Sequence, residues 1–162
     1  MINPVMRSRI FNFLFIASVS IFLLSCVKPV KFAGTSMLPA IKDGDRLLMN
    51  TTVGNLDRGD IVDFLYPKDK TQHYVKRIVG LPGETFEIRE GKILINNSEL
   101  KESYVHGPYN TVKTSLPPVV IGKDHYFVLG DNRDNSSDSR YWGTVSRDLI
   151  TGKYLMTYAS AK

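Results

Sequence analysis

A hydroxyl, an amine and a loop crowded with charged side chains are the groups through which this chain could do chemistry. The hydroxyl is Ser36, within Gly34-Thr35-Ser36-Met37-Leu38-Pro39. A small, flexible stretch stopped by a proline can present an Oγ together with backbone N–H groups able to stabilise an oxyanion. The amine is Lys76, within Tyr74-Val75-Lys76-Arg77-Ile78-Val79. In a strand, Tyr74, Lys76 and Ile78 share one face and Val75, Arg77 and Val79 the other, so each face places a cation among apolar neighbours. Burial disfavours an ammonium. Holding a lysine neutral at pH 7 costs roughly 4.6 kcal/mol, and a site that supplies this by burial makes a usable base. The loop is Gly130-Asp131-Asn132-Arg133-Asp134-Asn135-Ser136-Ser137-Asp138-Ser139-Arg140-Tyr141-Trp142-Gly143. Its spacing does not fit a calcium loop: third from Asp131 comes Arg133, and sixth from Asp134 comes Ser139 rather than glycine. Asp-to-Arg hydrogen bonds would instead lock it as a support for a site built elsewhere, with Trp142 plugging it onto the core. Taken singly, each segment also has an ordinary reading: a polar loop, an exposed edge-strand lysine that blocks aggregation, a solvated turn.

The elements that must position these groups are strands. Leu47-Leu48-Met49 lies between the turn signals Gly44-Asp45 and Gly54-Asn55. Asp60 to Tyr66 follows Arg58-Gly59 and stops at Pro67, and Gln72 to Val79 ends at Gly80-Leu81-Pro82-Gly83. Thr85–Ile88 and Lys92–Ile95 flank Glu90-Gly91, a hairpin signature, and Asn96-Asn97 marks a second tight turn. His125 to Leu129 ends at Gly130-Asp131, and Leu155 to Tyr158 closes a sheet. Residues 102–120 read as a long loop rich in proline and threonine. No stretch after residue 28 sustains a 3.6-residue period, so at most one short helix is expected there. The predicted fold class is mainly β: an antiparallel β-sheet catalytic domain behind an N-terminal transmembrane helix.

The chain of 162 residues carries a net charge of +5. Arg7, Arg9, Lys28, Lys31 and Lys42 all precede the first acidic residue, Asp43, and account for the whole excess. A basic end around an apolar run suits a membrane surface rather than a nucleic acid. The run is Ile10 to Val27, without a charge from end to end. Eighteen helical residues reach ~27 Å, and Arg9 and Lys28 can snorkel to supply the rest of a hydrocarbon core. Residues 1–9 form a short basic N-terminus, 10–27 a membrane anchor and 28–162 an exported β-rich domain. A cleaved signal peptide and a lipoprotein signal ending at Leu23-Leu24-Ser25-Cys26 are the alternatives, and either would export the same domain. One cysteine excludes an internal disulfide. His73, His106 and His125 neither accompany a G-x-S-x-G elbow nor show zinc-ligand spacing, so no metal or other cofactor is expected.

Taken in order, these segments resemble bacterial type I signal peptidase. The resemblance runs over residues 10–152: an apolar anchor, Ser36-Met37-Leu38-Pro39, Arg58-Gly59-Asp60-Ile61-Val62, Tyr74 to Glu84, and the block from Gly130 to Arg140. Lys28-Pro29 resembles an acidic-Pro pair of the family with its charge reversed. The resemblance implies a serine endopeptidase with Ser36 as nucleophile and Lys76 as general base. It makes the Ser36 N–H an oxyanion donor, Phe32, Met37 and Tyr74 the lining of the substrate pockets, and Ser136, Asp138 and Arg140 the supporting loop. Some members place a serine two residues before the nucleophile. Gly34 stands there in this chain, leaving Thr35 or a backbone group for that role. The implied partners are secretory preproteins cut after small residues at −1 and −3, and membrane lipids, with catalysis on the extracytoplasmic side of the cell membrane. Only about 47 residues separate Gly83 from Asp131, so the catalytic domain alone is expected. A conjugation- or pilin-type processing peptidase of the same fold, or an inactive lipoprotein binding module, are the rival functions.

Overall fold

The computed structural model describes residues 26–161. Their eleven strands are all paired antiparallel and form two sheets. The larger sheet has seven strands: β1 (Val27–Lys31), β2 (Arg46–Asn50), β3 (Ile61–Leu65), β4 (His73–Gly80), β9 (His125–Leu129), β10 (Val145–Ser146) and β11 (Ile150–Ala159). Their spatial order is β1-β2-β11-β3-β4-β9-β10. The smaller sheet, in the order β7-β6-β5-β8, contains β5 (Thr85–Arg89), β6 (Lys92–Ile95), β7 (Ser98–Glu99) and β8 (Leu116–Val120). One short helix, α1 (Ser139–Trp142), follows β9.

The turn chemistry behaves as written. Glu90 and Gly91 take φ of 50° and 79°, and Asn96 and Asn97 take 50° and 65°, closing β5–β6 and β6–β7 as tight hairpins. Three departures from the sequence expectations follow. Val27 is the first residue of β1, opposite Asn50, and the Cys26 carbonyl accepts from Thr51 N. The remainder of the apolar run, residues 10–25, lies outside the described residues. Residues 102–120 are not all loop, because Leu116–Val120 forms β8. Its Pro117 and Pro118 fall where the β5 pairing slips between Phe86 and Ile88, on an edge strand that can spare their missing donors. β11 runs from residue 150 and lies between β2 and β3 instead of closing an edge. Register shifts along it break the alternation by which a strand is recognised. Of the segment between Gly83 and Asp131, residues 85–120 supply the smaller sheet, while β9 joins the larger one.

Three apolar clusters hold these layers together. Phe64 centres the first, with Val62, Ile78 and Val128, and Tyr74 and Trp142 pack against it. Phe32, Met37, Ile41, Leu47, Met49, Ile61 and Val75 form the second, under the Ser36 segment. The third joins the two sheets, with Phe86 stacked on Phe127 at 3.9 Å between ring centres. Among the described residues, no helix is long and apolar enough to cross a membrane.

Candidate active site

β4 is paired along one side by β3 from His73 to Arg77, but on the other side β9 meets it only from Arg77 onward. On that side residues 73–76 have no strand partner among the described residues and present an open edge. The larger sheet curls until residues 30–36, on and after β1, face that edge. Between them lies a cleft of about 420 Å³ whose walls include Phe32, Gly34, Ser36, Tyr74 and Lys76. Phe32 and Tyr74 line it. Met37 does not: it is fully buried in the second cluster, because the turn that turns Ser36 towards the cleft sends its neighbour into the core.

The cleft brings Ser36 and Lys76 together across 40 positions of sequence, with Lys76 Nζ donating to Ser36 Oγ at 2.8 Å. Nζ also donates to the Val75 carbonyl at 3.0 Å. Lys76 is only 4% exposed. Its burial pushes the pKa down to about 8 from 10.5, while the charges of Asp138 and Asp131 pull the other way.

The Ser36 segment is tied down from the loop that follows β9. Asn132 N donates to the Ser36 carbonyl at 3.0 Å, Asn132 Nδ2 to the Thr35 carbonyl at 3.0 Å, and Asn135 Nδ2 to Thr35 Oγ1 at 2.9 Å. Gly34 N donates to Asp43 at 2.6 Å, and Gly34 takes a φ of 104°, which suits glycine. Asp138 is fully buried, clasps Arg140 at 2.8 and 2.9 Å and accepts from Gly130 N at 3.1 Å. Arg140 reaches on to the Arg133 carbonyl, and Arg77 grips Asp131 at 2.8 and 2.6 Å. Ser136 is buried beside Gly130, and its Oγ has no hydrogen-bond partner among the described residues. Trp142, on α1, packs against the first cluster.

Sequence reasoning passed over two features. Asn132 and Asn135 were part of the loop motif, but nothing in their spacing said which segment they would grip. Asp63 sits within the otherwise apolar Ile61–Leu65, and a carboxylate in such a strand needs partners. It finds Lys28 Nζ at 2.5 Å, Thr151 Oγ1 at 2.8 Å and His73 Nδ1 at 3.1 Å.

The family model described as signal peptidase, peptidase S26, matches residues 6–159. The chain belongs to this family. It is 42% identical to signal peptidase I P of Bacillus subtilis subsp. natto over 136 residues, which cover 77% of this chain and 73% of the relative. Signal peptidase IB of Staphylococcus aureus (strain COL) is 35% identical over 159 residues, 85% of this chain and 82% of the relative. The crystal structure of a signal peptidase I from Enterococcus faecalis V583 matches with a TM-score of 0.57 and 32% identity. That match covers 65% of this chain and all of the other. The mainly antiparallel β fold of this S26 chain is thus that of a signal peptidase I catalytic domain.

Proposed function

We propose that the chain is a membrane-bound serine endopeptidase that removes signal peptides from secretory preproteins, cutting after small residues at −1 and −3. The observation that carries this reading is the 2.8 Å bond between Ser36 Oγ and a lysine that is 4% exposed. A neutral Lys76 takes the Ser36 proton as Oγ attacks the scissile carbonyl. The ammonium then gives that proton to the departing amine, leaving an acyl-enzyme on Ser36. Neutral again, Lys76 draws a proton from water, whose oxygen attacks the ester; the bond to Ser36 Oγ breaks, and the ammonium returns the proton to that oxygen as the acid product leaves. The Ser36 N–H faces the developing oxyanion. The second donor is the Thr35 hydroxyl or a backbone N–H, since Gly34 offers no side chain. Asp138, Arg140 and Ser136 position the dyad without reacting. The open edge of residues 73–76 supports binding of the substrate as an added strand, with Phe32 and Tyr74 against its small side chains. The apolar run that precedes β1 anchors the domain to the extracytoplasmic face of the cell membrane, beside lipid-embedded substrates.

The test is cleavage of a preprotein ending its signal in Ala-x-Ala. Ser36→Ala and Lys76→Ala are each expected to lower kcat by at least ~1000-fold. Full activity in both would overturn the assignment. The rate of the unaltered enzyme rises with pH as Lys76 deprotonates, with its limb near 8. A limb near 10.5 would mean that the base is a solvated lysine.

A further inference from the structure

The cleft extends well beyond the dyad, and its far end has a different chemistry. Asp63, His73 and Lys31 all line it there. Asp63 pairs with Val75 across β3 and β4, so His73, two residues along, lies diagonal to it on the same face. The Asp63 side chain is 1% exposed, and three donors from three other strands already occupy it: Lys28 on β1, Thr151 on β11 and His73 on β4. The His73 side chain is 48% exposed, and its Nε2 makes no hydrogen bond among the described residues. Lys31 is exposed and makes no ion pair among the described residues. Among the described residues, the only carboxylate lining the cleft is therefore out of a ligand's reach, while a cation and an imidazole face the space.

We propose that this Lys31 and His73 end is a distal subsite that selects an acidic substrate side chain, and rejects a basic one, about four to six residues ahead of the scissile bond. The inference rests on the peptidase reading above. Three strand residues from Lys76 to His73 span ~10 Å, and five from Ser36 to Lys31 span ~17 Å, which sets that distance along an extended substrate. The amino-terminal direction follows from β1, which enters the cleft's far end directly from the apolar run. A substrate's own apolar segment precedes its cleavage site and approaches from the same bilayer. Asp63 is a positioning residue: by accepting from Nδ1–H it leaves Nε2 turned outward. A bound carboxylate pairs with Lys31 beside that ring.

Peptides with an Ala-x-Ala site, differing only in Glu, Gln or Lys at −4, −5 or −6, are assayed with the full chain in nonionic detergent. At one of these positions the kcat/KM of the Glu peptide should exceed that of the Lys peptide about five- to tenfold, chiefly through KM. The ratio should shrink in high salt. Lys31→Glu should reverse the ratio, and His73→Ala should reduce it. Equal cleavage of Glu and Lys peptides at all three positions, or a ratio untouched by Lys31→Glu, overturns the subsite and leaves the peptidase reading standing. Failure to cleave any of the peptides, or cleavage by Ser36→Ala, overturns both.

Discussion

A lysine that loses its proton near neutral pH is a lysine the fold holds at a cost. Lys76 has a pKa of about 8 in the folded chain against 10.5 outside it. Between these values the unfolded chain binds more protons, so this residue's contribution to stability improves as pH rises from about 8 towards 10.5. At pH 7 the full cost applies, on the order of 3 kcal/mol for a shift of this size. Lys76→Met keeps most of the stem and discards the ammonium. It should abolish cleavage while raising stability at pH 7 by about 1–3 kcal/mol in denaturant unfolding, the gain shrinking by pH 10. A loss of stability at pH 7 would show that the amine is not penalised where it sits. Met37 carries a second lesson at this scale. Resemblance assigned it to the pocket lining, and its complete burial puts it in the core instead.

β9, the loop behind it and α1 act as one unit that sets the position of Ser36. Its tightest point is Gly130, where an added Cβ would lie 2.3 Å from Ser136 Oγ and 2.4 Å from the Ser36 carbonyl oxygen. The second of these is backbone and cannot swing away. Gly130→Ala should push the Ser36 segment off the lysine and lower kcat by about 100-fold, with KM much less affected. An unchanged kcat would show that the loop does not set the serine's place. The Asp138–Arg140 clasp and the Asn132 and Asn135 bonds belong to the same unit. The motif's composition announced a self-locked loop. Its grip on residues 35 and 36, some 100 positions away, could not be read from it, because the pairing depends on where β9 ends relative to β1.

The two sheets share the third cluster, and the stacking of Phe86 on Phe127 is where they meet. Phe86, on the small sheet, is fully buried, and Phe86→Ala should cost about 3–5 kcal/mol by thermal or denaturant unfolding. The cleft lies against the other two clusters, so the folded fraction at low temperature should keep its kcat. Loss of kcat without loss of stability would instead tie the small sheet to catalysis. Most strands were legible from alternation and turn residues: Glu90-Gly91 and Asn96-Asn97 needed only their own φ preferences. β8 and β11 were not, because prolines at a register slip and bulges along a central strand erase the two-residue period. Likewise the sequence by itself determined which side chains could react, since a serine in a small-residue turn and a lysine amid apolar strand residues are local facts. Only the tertiary structure decided that they meet, that Met37 turns inward, and that Asp63 holds His73 and Lys28 at the far end of the cleft. Those outcomes depend on how far the larger sheet curls to bring β1 against the open edge of β4, and such curvature is a sum over many strand contacts that no single segment encodes.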